Sequence, residues 1–274
     1  LRGGATARSR PRNIGLAPWI CDPAHRGVPD HTEADMNPHI LTAVRETPFF
    51  EGLSPDRATR AASAFHLRTY ERGETISGVA DQEPCTYVMV SGVARAVRVN
   101  HDGRCLTSGL LDGGMAFGCL PYAANEATEQ IEALVECEVL RVPTRDLESL
   151  AAVDPLIARS LAQSNAQRLR AAEARLAALA FQPVPARLAG VVLELADHFG
   201  KVTPEGVRLD VRLTHGALAE MTGTTRETLT KVSGWLRTEG ISSIERRAIW
   251  VMDWEALEAV HAGARCMPGR TARA

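Results

Sequence analysis

The sequence lacks several features that would each indicate a familiar class of protein. It has no run of about 18 apolar residues, so no membrane-spanning helix is expected. No apolar stretch follows the arginines near its start, so a secretory signal is not expected either. Its six cysteines form no C-x-x-C pair, which removes the strongest zinc and thioredoxin-like signals. We therefore expect a cytoplasmic protein with reduced thiols.

The net charge is close to zero, and motifs typical of catalysis are missing. The formal net charge is −2, so a nucleic-acid partner would have to be met by a local basic patch rather than by an overall positive field. The sequence contains no P-loop and no recognisable nucleophile–base set. We therefore do not predict an enzyme, and a nucleotide-binding regulatory module of an enzyme is a remote alternative.

The 274 residues are enough for two domains, and their texture changes along the chain. Residues 1–35 are rich in Gly, Pro and Arg without periodicity, and we expect a disordered or non-native leader. Residues 36–153 are predicted to form the first domain. In this domain Ser54 and Thr144 are candidate helix caps. From Leu67 to Pro143, short runs of β-formers alternate with glycine-containing turns, which predicts an antiparallel barrel or roll.

A long central helix is predicted from Asp154 and Pro155 to about Phe181, in a segment spanning residues 154–182. Two interpretations are open: the helix packs on its own domain, or it forms a dimer seam. Its length and its small alanines favour the seam. The seam positions follow 3–4 spacing and are Leu169, Ala172, Leu176 and Leu179.

Residues 183–263 have the order of a winged helix-turn-helix, followed by a tail at 264–274. An amphipathic helix and a hairpin come first. A helix capped by Thr214 and closed by Gly223 then precedes a second helix, capped by Thr224 or Thr225. A hairpin around residues 245–247 and a short final helix complete the pattern.

The second of these helices has two distinct faces. An inner apolar stripe leaves polar side chains pointing outward near the helix start, where a recognition helix meets the major groove. An arginine can donate two hydrogen bonds to guanine, and a glutamate can accept one from cytosine. An ordinary solvated helix start is the simpler interpretation of the segment alone, but its neighbours favour a recognition helix. The stripe is Leu229, Val232, Trp235 and Leu236, and the outward residues include Thr225, Arg226, Thr228 and Lys231.

The segment LTHGALAEMTGTTRETLTKVSGWLRTEGIS, residues 213–242, closely resembles the helix-turn-helix of the cAMP receptor protein/FNR (Crp–Fnr) family of bacterial transcription regulators. Its most specific part is GTTRET, residues 223–228. Upstream, FFEGL, YERGETI, YVMVSG, DG, FG and ECEVLRV follow in the family's order, so the resemblance spans about residues 45–260. It implies an α+β protein with an N-terminal cyclic-nucleotide-binding-like antiparallel β-roll of the jelly-roll type, a long dimerisation helix and a C-terminal winged helix-turn-helix.

The resemblance also implies a function: a homodimer that reads a two-fold symmetric operator in double-stranded DNA and contacts RNA polymerase. Lys231 stands where the family more often has Arg, and because a lysine cannot form the planar bidentate fork, a looser base preference is expected there. The implied base-reading residues are Arg226, Glu227 and Lys231, and the implied backbone-contacting residues are Thr225, Thr228 and His215, with Thr224, Arg246 and Arg247 as further DNA contacts.

The roll departs from the members of the family that bind cAMP. Gly118 of their Gly-Glu pair remains, but Cys119 stands at the Glu position, and Ala127 and Thr128 stand at the phosphate-binding Arg and Ser/Thr positions. Nearby carboxylates would repel a phosphate. We therefore expect no cAMP site: the roll senses something else or acts constitutively with a filled pocket. The carboxylates are Glu126, Glu129 and Glu132, and Ala172 and Glu173 replace the hydroxyl pair of the central helix.

The sequence gives little support to other sensing chemistries. An iron–sulfur site of the FNR type needs three clustered N-terminal cysteines, but only Cys21 precedes the roll to join Cys137. Haem ligation by His66, His101 or Cys119 has no supporting spacing, so no cofactor or metal is predicted. A thiol- or metal-based redox sensor of the same fold stays open, with Cys105 and Cys119 as a candidate pair. Alternatively, each cysteine is simply a small buried apolar residue.

Overall fold

The computed structural model describes residues 38–78, 83–121, 129–245 and 248–268. Several predictions lie outside these ranges: the leader at 1–35, Cys21, Glu126, the pair Ala127 and Thr128, and the wing arginines Arg246 and Arg247. The tail is described only as far as residue 268.

The described chain begins with two short helices packed against the roll. These are α1 (Pro38–Glu46) and α2 (Pro55–Ala62), separated by a 3-10 turn at Pro48–Phe50. Phe50 lies edge-to-face with both Phe49 and Phe65, and all three rings are buried. Ser54 stands at the N-cap position of α2 as predicted, but its side chain does not accept a capping hydrogen bond from the helix.

Two four-stranded antiparallel sheets form the roll, which confirms the predicted architecture. Their strand orders are β1-β8-β3-β6 and β2-β7-β4-β5. Because side chains alternate along a strand, Val88 and Leu140 face the helices, while Met89 and Val139 fill the space between the sheets. The strands are β1 (His66–Tyr70), β2 (Thr75–Ser77), β3 (Cys85–Ser91), β4 (Ala94–Val99), β5 (Cys105–Leu111), β6 (Ala116–Gly118), β7 (Gln130–Ala133) and β8 (Cys137–Pro143).

A short helix, α3 (Thr144–Val153), leads into the central helix α4 (Pro155–Phe181). Asp154 caps α4 by accepting a hydrogen bond from the Leu156 N–H at 3.0 Å, and Pro155 occupies the first turn, where its missing N–H costs nothing. The predicted cap at Thr144 is wrong. Pro143 holds the N-cap position, and the buried Thr144 hydroxyl donates instead to the Cys119 carbonyl at 2.8 Å.

The C-terminal part is a winged helix-turn-helix. A four-stranded antiparallel sheet of order β11-β12-β10-β9 joins its two hairpins. Leu229, Val232 and Leu236 are buried in its core and Trp235 packs against that core, as the inner stripe predicts. The elements are α5 (Val184–Phe199), β9 (Gly200–Thr203), β10 (Gly206–Leu209), α6 (His215–Thr222), α7 (Arg226–Thr238), β11 (Ser242–Ile244), β12 (Ile249–Val251) and α8 (Trp254–His261).

This C-terminal part packs directly on the roll. Val93, Leu110 and Leu134 of the roll belong to the same apolar cluster as the core of helices α5 to α7. Arg95 of β4 forms an ion pair with Glu132 of the roll at 2.8 Å and another with Glu220 of α6 at 2.7 Å, with its own side chain only 9% exposed. The contact between the roll and α6 therefore combines apolar burial with a nearly buried charge cluster.

Candidate nucleic-acid interface

The turn between α6 and α7 sets the angle at which α7 is presented. Thr214 caps α6 by accepting a hydrogen bond from the Ala217 N–H at 3.1 Å. Gly223 ends α6 in the left-handed region, at φ 65° and ψ 48°, with its N–H bonded to the Ala219 carbonyl. A Cβ atom at this position would overlap the side chain of Leu179 at the end of α4. Glycine is therefore required both by the backbone and by the neighbouring helix.

The start of α7 resolves the choice between the two threonines. Thr225 is the N-cap: its hydroxyl oxygen accepts a hydrogen bond from the Thr228 N–H at 3.3 Å. Thr224 is half-buried in the turn, and its N–H donates to the Ala219 carbonyl at 2.9 Å. Thr225 is exposed and Thr228 is half-buried. Both residues lie at the N-terminal end of α7.

Three charged side chains occupy the exposed face of the N-terminal half of α7. Arg226, Glu227 and Lys231 are all exposed, and neither cation forms a salt bridge within the described ranges of the chain. The pKa of Glu227 is lowered by its own backbone N–H at the helix start, then by the Thr225 side chain and more weakly by Arg226 and Lys231. Glu227 therefore carries a negative charge at neutral pH and can only accept hydrogen bonds.

His215 connects the two helices of the motif. Its Nδ1 atom lies 3.2 Å from the Thr230 hydroxyl, which in turn donates to the Arg226 carbonyl at 2.8 Å. Thr230 is exposed on α7 and was not identified from the sequence. Its position four residues after Arg226 is the signal that could have identified it, because residues at that spacing share one helix face.

The described effector positions lie on two elements, at the end of β6 and on α4. Gly118 adopts φ 85°, and a Cβ there would lie 2.7 Å from the Cys85 carbonyl oxygen. Cys119 follows it, with its N–H bonded to that same carbonyl at 2.9 Å. Ala172 and Glu173 are exposed on α4, and no hydrogen bond between described residues joins them to Gly118 or Cys119.

Two of the carboxylates expected to repel a phosphate are paired with arginines. Glu132 accepts hydrogen bonds from Arg95, and Glu129 accepts them from Arg98 and Arg168. The two carboxylates are therefore engaged by cations of the fold and are not free negative charges.

The cysteines of the described ranges are in no disulfide. Cys137 is fully buried, and burial raises the pKa of its thiol to about 11. Burial, with a smaller effect from Glu220, also raises the pKa of Cys105. Over the residues that the structure places, no three His, Cys, Asp or Glu side chains come together as a metal site, and no helix is long and apolar enough to cross a membrane.

The architecture is that of a DNA-binding regulator. It combines a β-roll, a long helix and a helix-turn-helix with a two-stranded wing. The family model described as a cyclic nucleotide-binding domain matches residues 67–154, and the Crp-like helix-turn-helix domain matches residues 186–260. The chain belongs to the Crp–Fnr family of transcription regulators, and the predicted fold and family are confirmed.

Relatives of known name agree with this placement. The chain is 29% identical over 221 residues to the cyclic AMP receptor protein of Thermus thermophilus, covering 80% of this chain and 99% of that protein. It is 28% identical to the global nitrogen regulator of Synechococcus elongatus, over 70% of this chain and 87% of that protein. A solved CRP/FNR-family regulator from Thermus thermophilus superposes with a TM-score of 0.60 at 27% identity, over 72% and 98% of the two chains.

Proposed function

We propose that this chain is a homodimeric, sequence-specific regulator that reads a two-fold symmetric operator with α7 and does not require cAMP. The observation that carries the proposal is the two-faced character of α7. Its apolar stripe is buried while Arg226, Glu227 and Lys231 stay exposed at the N-terminal half. That is the half that a recognition helix places against base edges.

The chemistry of these side chains assigns a role to each. Arg226 suits guanine O6 and N7, and the ionised Glu227 accepts a hydrogen bond from cytosine N4. Lys231 supplies a single point charge, so it discriminates less sharply than an arginine. The remaining predicted contacts are assigned to phosphate oxygens, which fix the register rather than the sequence. These are Thr224, Thr225, Thr228 and His215, with Arg246 and Arg247 of the wing.

We propose that a second copy of the chain packs against the apolar face of α4. Leu169 and Leu176 are 60% and 69% exposed, and they lie seven residues apart on one face with Ala172 between them. Leu179, the fourth predicted seam residue, lies instead against the turn at Gly223. Two copies joined along α4 would present two α7 helices, which accounts for a two-fold symmetric operator.

Independence from cAMP is supported by the residues at the expected ligand positions. Cys119 stands where the family resemblance places a carboxylate, and Ala172 and Glu173 stand where it places a pair of hydroxyls. The residues described here therefore do not fit that nucleotide. Among the relatives, one is named a cyclic AMP receptor protein, whereas another is named a global nitrogen regulator. Contact with RNA polymerase is proposed from membership of the family alone.

A thiol-based sensor is the second candidate, and the thiols argue against it. Reactive cysteines have lowered pKa values and solvent access, because the thiolate is the nucleophile. The pKa of Cys137 is raised to about 11, and that of Cys105 is raised as well. The cAMP-independent regulator is therefore the better supported function.

The test compares two arginines at opposite ends of α7. A duplex is first selected from a random library by the wild-type protein. Arg226→Ala should weaken binding to that duplex by about 1–3 kcal/mol and relax the preference at one base pair. Arg237→Ala removes the same charge from the exposed last turn and should weaken all duplexes alike, if at all. Equal effects of the two variants on sequence preference would refute the recognition-helix assignment.

The cAMP part of the proposal is measured separately. The wild-type protein should bind the selected duplex with the same affinity with and without cAMP, and titration calorimetry should detect no binding heat. A saturable titration with cAMP would overturn this part while leaving the role of α7 intact.

A further inference from the structure

A largely buried carboxylate joins the roll to the central helix. Glu129 lies immediately before β7, and its side chain is 13% exposed. One of its oxygens accepts hydrogen bonds from the Ser108 hydroxyl at 2.8 Å and from Arg98 Nε at 3.1 Å. The other accepts one from Arg168 Nη2 of α4 at 2.6 Å. Both oxygens are therefore engaged, by donors from β4, β5 and α4.

These donors form the kind of site that binds a small anion. Two guanidinium groups and a hydroxyl give short, charge-assisted hydrogen bonds to a carboxylate or phosphate. Without an anion between them, Arg98 and Arg168 would repel each other. Glu129 directly follows Thr128, which the family resemblance places at a phosphate-binding position. The chain thus supplies its own negative charge close to where an anionic effector would be expected.

The same face of α4 continues the contact toward the DNA-binding part. Arg175 lies seven residues after Arg168 and donates to the Thr107 carbonyl of β5 at 2.9 Å. Its other terminal nitrogen donates to Glu194 of α5 at 3.0 Å. Since residues seven apart share a helix face, fixing Arg168 on the roll also fixes the part of α4 that holds α5.

We infer that Glu129 is a built-in anion that holds α4 against the roll in place of a small anionic effector. The inference rests on the proposed function for its consequence, which is DNA binding without a ligand. Its structural part, the docking of α4, is measured independently of DNA. Glu129 is a positioning residue, acting through Arg168 and α4 rather than on the DNA.

The experiment removes the carboxylate and then returns it as a free molecule. Glu129→Ala should raise amide hydrogen exchange in residues 165–175 about tenfold or more, and lower affinity for the selected duplex by a similar factor, as expected for losing a charged hydrogen-bond acceptor. Acetate should restore most of both losses relative to chloride at the same ionic strength. Matching the ionic strength is necessary because DNA affinity falls with salt.

Two further variants make the result specific. Glu136→Ala removes an exposed carboxylate from the turn before β8 and should behave as the wild type does in both salts. Glu129→Gln keeps the volume but not the charge, so it should show the loss without the rescue by acetate. The inference would be overturned if amide hydrogen exchange in residues 165–175 were the same in Glu129→Ala and Glu136→Ala. It would also be overturned if acetate had the same effect on all variants. If the wild type selects no duplex at all, the proposed function fails, while the exchange measurement still decides the role of Glu129.

Discussion

Replacing Gly223 with alanine tests the packing of the helix-turn-helix against the central helix. Two costs are expected. The left-handed conformation of Gly223 costs an alanine about 1–2 kcal/mol. In addition, the new methyl group would overlap the Leu179 side chain, and overpacking of this kind costs about 1–3 kcal/mol. The free energy of unfolding should therefore fall by about 2–5 kcal/mol.

Gly240 provides the matched control. It also adopts a left-handed conformation, at φ 70°, but a Cβ atom there would meet no heavy atom within 4 Å. Gly240→Ala should therefore show only the conformational cost, and both variants share the entropy that alanine removes from the unfolded chain. The difference between the two variants, about 1–3 kcal/mol, isolates the contact with Leu179.

Urea denaturation followed by tryptophan fluorescence measures both losses. In the double variant Gly223→Ala with Leu179→Ala, the methyl group gains room, so the two substitutions should be coupled rather than additive. Equal destabilisation by Gly223→Ala and Gly240→Ala would refute the reasoning. Strict additivity with Leu179→Ala would refute it as well.

Four more predictions concern the central helix, the charge cluster and the thiols. Leu176→Glu places a charge in the proposed seam, so sedimentation velocity should show a dimer for the wild type and a monomer for the variant at the same concentration. Equal masses of the two proteins would contradict the seam. Glu220→Gln should lower the free energy of unfolding by only about 1 kcal/mol, because the Glu220 carboxylate is partly exposed and Arg95 keeps its ion pair with Glu132. This loss should become smaller in high salt. With a pKa of about 11, only about 1 in 1,000 Cys137 thiols is ionised at pH 8. Mass spectrometry should therefore detect alkylation of the exposed Cys266 long before alkylation of Cys137. Comparable alkylation rates would contradict the burial of Cys137. Because the folded pKa of Cys137 lies above the unfolded value of about 8.5, its neutral thiol stabilises the fold fully below that pH, and this contribution should be lost as the pH rises toward 11.

The sequence by itself determined the elements and their order. Alternation with glycine-containing turns predicted the roll, Asp154 and Pro155 predicted the start of α4, and Thr214 with Gly223 predicted the limits of α6. These features depend on residues close together in the chain, because capping bonds, turn geometry and strand alternation are local. The buried stripe of α7 was predictable for the same reason, since helical periodicity relates side chains within two turns.

Only the tertiary structure decided which distant side chains meet. Thr144 was predicted as a cap, yet its hydroxyl is used by the Cys119 carbonyl, 25 residues away. Glu129 was predicted to repel a phosphate, but it accepts hydrogen bonds from Arg98 and from Arg168 on another element. Nothing in the local pattern distinguishes a carboxylate that opposes a ligand from one that replaces it. That distinction depends on the cations that the fold brings within hydrogen-bonding distance.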